Sequence, residues 1–300
     1  DAVVAEAARR TVARRELAGH EQFERVSPEL GQLDETAFDE LLAADPDDAL
    51  GLLADMAGAT DRLLREQAHR LAGRIVVDLA RAGRTTRRPT GRLVRRPPRD
   101  PHGDLDLDAS LDELVRARRG RMPVEPASLV VTSWERPESA VCLLVDRSGS
   151  MFGGRLAIAA LAAAAVMLRA PQRCSVVAFA QDAVVLVGQS STCEPDRVVG
   201  DLLALRGSGV TDIGLALRAA RTQLARTDAP RRLTVLLSDC RVTAGGDPVV
   251  DALALDELAI IAPAGDSAGA QELAAATGAR LSTVQGVGDV VDALAVALGV

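Results

Sequence analysis

Residues 141–150 read VCLLVDRSGS, an apolar run that passes directly into a polar loop. The run predicts a buried β-strand, because parallel strands covered on both faces are continuously apolar. Segments of the same character recur through the second half of the chain and alternate with helical patterns, which is typical of an α/β fold. The predicted strands are Val141–Val145, Ser175–Phe179, Val184–Val187, Leu233–Leu237, Leu258–Ala262 and Arg280–Val284.

These six strands predict a mostly parallel, Rossmann-like sheet with helices on both faces. The gap between Phe179 and Val184 is too short for a crossover helix, so the second and third strands should form a hairpin with one antiparallel edge strand. Asp182 is interpreted as a residue of that hairpin turn. The predicted helices are Arg155–Leu168, Pro195–Leu203, Ile213–Ala225, Ala268–Thr277 and Val287–Ala297.

The first part of the chain, residues 1–83, predicts a small, mostly helical domain. An amphipathic stretch runs from Leu33 to Ala44, and the pair Asp45-Pro46 then starts another helix, since Pro is well tolerated in a first helical turn. Thr60–Arg81 carries apolar residues at helical spacing.

Residues 84–103 are rich in Arg and Pro and predict a linker. The basic stretch from Arg84 to Arg99, the Arg84–Arg99 strip, is interpreted either as a solvated linker or as a surface that binds a polyanion. No aromatic residues interleave it for base stacking. Residues 104–137 predict a short strand, a helix at Leu111–Arg118 capped by Asp108 or Ser110, and a strand at Leu129–Trp134. They lead into an α/β domain at 138–300.

The composition excludes several classes of function. All 35 basic residues are arginine, so no lysine is present for a phosphate-binding Walker A loop or for Schiff-base chemistry. The net charge of −7 argues against nucleic-acid binding by the chain as a whole. The three histidines lie outside the α/β part and no GxSxG motif occurs, so we do not expect an enzyme.

The cysteines and the hydropathy bear on the compartment. The 4 cysteines are widely spaced and form no CxxC pair, which favours buried free thiols in a reducing compartment. No signal peptide or membrane span is evident, because the longest apolar run, Leu156–Leu168, is too short to cross a bilayer. We therefore expect a cytoplasmic protein without a membrane association.

Polar residues follow three of the predicted strands and helices at the edge where α/β sheets bind ligands. Asp146, Ser148 and Ser150 end the first strand, Thr211 stands at the head of a helix, and Asp239 ends the fourth strand. Read one at a time, each has a purely structural interpretation: Ser148-Gly149-Ser150 as a turn, Thr211 or Asp212 as a helix cap, and Asp239 as a loop cap.

Taken together, these hydroxyls and carboxylates suit a hard, oxygen-seeking cation. Mg²⁺ is usually held by one or two carboxylates and keeps several waters, and Mn²⁺ or Ca²⁺ would accept the same donors. Neither His nor Cys belongs to the set, which disfavours zinc and copper. A carboxylate from a partner protein is the natural ligand for the remaining position.

The residues match the DxSxS…T…D pattern of von Willebrand factor A (VWA) domains, and the chain resembles this family over residues 138–300, about half of its length. The resemblance implies a metal-ion-dependent adhesion site (MIDAS). Ser148 and Ser150 would bind the cation directly, Asp146 and Asp239 through hydrogen bonds or water, and Thr211 when a partner binds. The chain departs from the family pattern in having Gly209-Val210 before Thr211 and Cys240 after Asp239.

The helical first part resembles bacterial VWA proteins that act with MoxR-type AAA+ ATPases, including CoxE-like proteins, and the VWA part of the larger ATPase-associated component of magnesium chelatase. This resemblance implies an adapter that binds a client or an ATPase in protein remodelling or in the maturation of a metal centre or cofactor. The alternative is a VWA module joined to an RNA-binding region, which the Arg84–Arg99 strip suggests.

Overall fold

The computed structural model describes residues 11–82, 92–96, 104–135, 139–147, 153–170, 173–205 and 209–299. The described residues form two compact units. One unit is built from the segments before residue 86 and after residue 138, and the other from the residues between them.

Five helices occupy the described part of the N-terminal segment, and two of them start at side-chain caps. Asp34 and Asp45 each accept hydrogen bonds from two backbone amides of the helix that follows, and Pro46 stands in the first turn after Asp45. Such caps satisfy amides that have no partner inside the helix. The helix start predicted at Asp45-Pro46 is therefore confirmed. The helices are α1 Arg14–Leu17, α2 Phe23–Val26, α3 Glu35–Ala44, α4 Pro46–Met56 and α5 Arg62–Ala82.

The smaller unit contains, in its described residues, a three-stranded antiparallel sheet in the order β1-β3-β2 and one α-helix. This helix begins earlier than predicted, because Asp106 and not Asp108 or Ser110 is the cap and accepts from the amide of Ala109 at 3.0 Å. The elements are β1 Arg92–Arg96, β2 Asp104–Leu105, α6 Leu107–Gly120, a 3₁₀ turn Pro126–Ser128 and β3 Val131–Glu135.

The linker predicted at residues 84–103 needs a correction at its centre. Residues 92–96 pair with Val131–Glu135 along their whole length, so they form an ordered strand. Pairing with a distant strand outweighs the Arg-rich composition, since strand formation depends on context more than on intrinsic preference. The rest of this stretch lies outside the described residues.

The larger unit is built on a six-stranded sheet in the order β6-β5-β4-β7-β8-β9. All neighbours are parallel except β5 and β6, which form an antiparallel hairpin at the edge. The predicted sheet with one antiparallel edge strand is confirmed. The strands are β4 Ser139–Asp146, β5 Cys174–Phe179, β6 Ala183–Val187, β7 Arg231–Leu237, β8 Glu257–Pro263 and β9 Arg280–Val284.

Helices cover both faces of this sheet, and the central strand β4 divides its side chains between them. Val141, Leu143 and Val145 enter one core cluster, while the alternate residues Cys142 and Leu144 enter the other. The helices are α7 Gly154–Arg169, α8 Pro195–Ala204, α9 Ile213–Leu224, α10 Pro248–Leu253, α11 Ala268–Thr277 and α12 Val287–Leu298. The short helix α10 was not evident from apolar spacing; Asp247 caps it and Pro248 opens it.

The N-terminal helices share a core with the sheet. Phe23, Phe38 and Leu50 belong to the same buried cluster as residues of β4 and of the Ala-rich helix α7. The small side chains of α7 let α4 and α5 pack closely over it, which adds a third layer on one face. The boundary placed near residue 83 therefore separates parts of one compact unit, because the helices bury their apolar faces against α7 and α8.

Described helices were also compared with the requirements of a bilayer. None of those in the described ranges combines the length and the apolar character that crossing a membrane requires.

The contact between α4 and α7 gives a first test of the shared core. A Cβ atom at Gly51 would lie 3.3 Å from the backbone nitrogen of Gly154, so Gly51→Val should push the two helices apart. We expect a loss of about 1–3 kcal/mol in the free energy of unfolding, measured by urea titration. Gly288→Val is the matched control, because a Cβ there meets nothing within 4 Å. Equal stability of the two variants would show that α4 does not pack against α7.

Buried thiols give a second test. Burial raises the pKa of Cys142 to about 12 and that of Cys174 to about 11. The folded state holds these protons while the unfolded state releases them, so their contribution to stability is full below the ordinary thiol pKa of 9.0 and is lost as the pH rises from there through the folded pKa. We expect a slope of about 1.4 kcal/mol per pH unit for each thiol. Urea titrations between about pH 8 and 11 measure it, and Cys142→Ala should have a slope smaller by one thiol; an unchanged slope would contradict this account.

Candidate metal centre

Asp146 ends β4 and lies against the residue that follows β7. The parallel register places Val145 opposite Leu237, so the next residues of the two strands, Asp146 and Ser238, emerge side by side. Ser238 Oγ donates a hydrogen bond of 2.6 Å to Asp146 Oδ2, and the carboxylate is almost completely buried. The backbone amide of Cys240 donates to Ser238 Oγ at 2.9 Å. Ser238 thus orients the first carboxylate of the predicted site.

Asp239, the second carboxylate, is also buried and is held by its own loop. Its Oδ1 accepts a hydrogen bond of 3.0 Å from the amide of Arg241, so Asp239 does cap a tight turn. Cys240 between them has a φ of 59°, in the left-handed region that favours glycine. Burial, and then the negative charges of Asp146 and Asp239, raise the pKa of the Cys240 thiol to about 12. The two carboxylates therefore lie close to one buried point.

Thr211 lies in a loop that is bonded to both neighbouring loops. Its amide donates to Thr243 Oγ1 at 2.7 Å, which joins it to the segment after Cys240. The next amide, that of Asp212, donates to the carbonyl of Ala180 at 2.9 Å, at the end of β5. Asp212, and not Thr211, caps α9, because its carboxylate accepts from the amide of Leu215 at 2.8 Å. The side chain of Thr211 is thus not used as a helix cap.

Arg147 anchors the start of the DxSxS loop. Its amide donates to the carbonyl of Phe179 at 2.8 Å, and its buried guanidinium forms an ion pair with Asp182. Asp182 lies in the hairpin turn as predicted, but the local sequence contains no sign of this pairing. A signal did exist in the order of the strands, since β5 and its hairpin follow directly beside β4.

The cleft above Asp146 and Asp239 has a volume of about 370 Å³. Arg155, at the head of α7, lines it together with Ser238, and its Nη1 lies 3.8 Å from Asp239 Oδ2. Its Nη2 lies 3.7 Å from Asp266 Oδ2. The other lining residues are apolar: Ile158, Leu237, Ile261, Pro263 and Val284.

The five residues of the predicted set stand as follows. Asp146, Thr211 and Asp239 lie on adjoining loops at the carboxyl ends of the strands, whereas Ser148 and Ser150 lie outside the described residues. Among the described residues no group of three or more His, Cys, Asp or Glu could hold a metal. A cation here would need hydroxyl oxygens beside the two carboxylates, which is the donor set that a hard cation accepts. The ligand set remains a prediction.

Fold and site together define a VWA domain, and comparison with known families identifies which kind. The family described as "VWA domain containing CoxE-like protein" matches residues 54–264, more than half of the chain. The chain belongs to this family. VWA domains are typically metal-dependent protein-interaction modules and generally not enzymes. No curated protein matches the chain.

Solved structures match about half of the chain. Proximal thread matrix protein 1 from the mussel byssus, with a zinc-occupied MIDAS motif, is 15% identical with a TM-score of 0.45, over 54% of this chain and 47% of that one. The von Willebrand factor type A protein from Catenulispora acidiphila is 15% identical with a TM-score of 0.43, over 54% and 42%. The conserved hypothetical protein BatB from Bacteroides thetaiotaomicron is 16% identical with a TM-score of 0.44, over 54% and 97%. The match thus spans less than half of the first two proteins.

The loop of Asp239 and Cys240 packs so tightly on α11 that a single methyl group should disturb the site. A Cβ at Gly269 would lie 2.6 Å from the carbonyl oxygen of Cys240, so Gly269→Ala must displace this loop. We expect Mn²⁺ affinity, measured by calorimetric titration, to fall by about tenfold, as for other changes to groups that support a metal ligand. Gly265→Ala is the control, since a Cβ there meets nothing within 4 Å. An unaltered affinity in Gly269→Ala would place the cation away from this loop.

Proposed function

We propose that this chain is a metal-dependent protein-binding adapter that acts with a MoxR-type AAA+ ATPase. Its cation, with Mg²⁺ as first choice and Mn²⁺ or Ca²⁺ as substitutes, would be held by Asp146, Ser148, Ser150, Thr211 and Asp239. The observation that carries the proposal is the pair of buried carboxylates Asp146 and Asp239 on neighbouring strand ends. Buried like charges are unfavourable without a counter-charge, and a divalent cation supplies it.

Each residue would have a distinct part in binding a partner. When bound, the cation would accept a carboxylate oxygen of the partner as an additional ligand. Ser238 keeps the Asp146 carboxylate oriented through its 2.6 Å hydrogen bond, and the turn around Cys240 fixes Asp239. The bonds of the Thr211 loop to Thr243 and to Ala180 hold its hydroxyl-bearing residue beside the other two loops. The site is therefore built before a partner arrives, which reduces the entropic cost of binding.

The energy for remodelling would come from the ATPase. The 300 residues contain no lysine, so this chain supplies no Walker A loop, and we assign it no catalytic activity of its own. The family includes CoxE-like proteins, which supports a role in the maturation of a metal centre or cofactor. All four cysteines are free thiols, and this favours the reducing cytoplasm as the compartment.

RNA binding is not proposed. Arg95, an arginine of the Arg84–Arg99 strip whose side chain is described, donates a 2.6 Å hydrogen bond to Asp106 within the smaller unit. Its charge is thus engaged inside the chain, and no described feature favours a nucleic acid.

Removal of the first carboxylate tests the proposal. In Asp146→Asn the amide oxygen can still accept from Ser238, so the fold should survive while the negative charge that attracts the cation is lost. We expect Mn²⁺ affinity to fall at least about tenfold, and Mg²⁺-dependent capture of an AAA+ ATPase from the native host to disappear. Calorimetry and a pull-down in Mg²⁺ against EDTA measure the two effects.

The control for this variant is Asp228→Asn, which removes a highly exposed carboxylate just before β7, at the opposite end of the sheet. It should bind Mn²⁺ and capture the ATPase like the unaltered chain. ATPase capture that persists in Asp146→Asn or in EDTA would overturn the proposal.

A further inference from the structure

Arg155 is the cationic side chain that lines the cleft of the candidate metal centre. Its guanidinium stands between two carboxylates, at 3.8 Å from Asp239 and 3.7 Å from Asp266. Both distances exceed hydrogen-bond length, and among the described residues Arg155 makes no hydrogen bond. Its side chain is 32% exposed. The planar fork of donors is thus held at the cleft by charge attraction alone, with its hydrogen-bonding capacity available to a ligand.

The neighbouring charges leave Arg155 in excess once a cation binds. Asp146 and Asp239 together neutralise a divalent cation. Asp266, the other partner of Arg155, is already neutralised by Arg241, whose Nη2 lies 2.7 Å from Asp266 Oδ1. The metal-loaded cleft therefore carries about one net positive charge, centred on Arg155, whereas the metal-free cleft is negative. Metal binding inverts the sign of the surface that a partner meets.

We propose that Arg155 is a second anchor for the partner and that the partner presents two neighbouring carboxylates. This inference rests on the proposed function: one carboxylate would bind the cation, and the other would form a bidentate pair with the Arg155 guanidinium, the geometry that arginine favours. The apolar wall of Ile158, Ile261 and Val284 would contact the aliphatic part of the acidic side chains. The recognised feature is an acidic pair in a protein segment, such as two consecutive glutamates.

Substitution of Arg155 should change metal binding and partner binding in opposite directions. Arg155→Gln removes a positive charge 3.8 Å from Asp239. Mn²⁺ should therefore bind more tightly, by about fivefold or more, because like charges no longer repel. A residue that only maintained the fold would weaken both kinds of binding.

Partner recognition is measured on the full chain with Mg²⁺, by NMR titration with two synthetic peptides. One peptide contains two consecutive glutamates and the other has the second glutamate replaced by glutamine. The unaltered chain should prefer the first peptide by about tenfold, as expected for one charged hydrogen-bonded pair. In Arg155→Gln the preference should vanish.

Arg241→Gln is the matched control, because Arg241 pairs with the same Asp266 but is 69% exposed and does not line the cleft. It should keep both the Mn²⁺ affinity and the peptide preference.

A preference that survives in Arg155→Gln, weaker Mn²⁺ binding in that variant, or equal binding of both peptides to the unaltered chain would overturn the inference and leave the metal site intact. Absence of peptide binding by the Mg²⁺-loaded chain would overturn it as well. Failure of the proposed function has a different signature, namely Mn²⁺ binding that does not respond to Asp146→Asn.

Discussion

The parallel pairing of β4 with β7 at the centre of the sheet is the constraint from which the site follows. Both strands are buried on both faces, and their register runs from Ser139 opposite Arg231 to Val145 opposite Leu237. A slip by one residue would move every apolar side chain of a strand to the wrong face. The register is therefore held by the whole core, and it alone determines that Asp146 and Ser238 leave the sheet together.

Much of this architecture could be predicted from the sequence. The six strands of the main sheet lie within two residues of their predicted ends, because each is a continuous apolar run between polar turns. The hairpin of β5 and β6 follows from the short connection between them. By contrast, β1 is formed by an Arg-rich segment whose partner lies about forty residues further along, and no local pattern encodes such a pairing. The shared core of the N-terminal helices and the sheet is equally a product of distant contacts.

The candidate site divides in the same way. Asp146, Thr211 and Asp239 could be located from the sequence because their loops must meet at one edge of a parallel sheet. Neither the position of Arg155 beside Asp239 nor the pair of Arg147 with Asp182 could be foreseen, because ion pairs between loops depend on side-chain directions in three dimensions. Cys240 was evident as a departure from the family pattern, but its left-handed backbone became visible only in the structure.

The insertion of the smaller unit between α5 and β4 has a consequence for the synthesis of the protein on the ribosome. Helices α4 and α5 are synthesised early, yet α7 and α8, against which they pack, follow only after the inserted residues and β4. Their apolar faces must wait for these partners while the chain grows, and exposed apolar surface of this kind favours association with chaperones or with other chains. The interrupted order of the larger unit thus makes its folding a late event, completed only when most of the polypeptide has emerged.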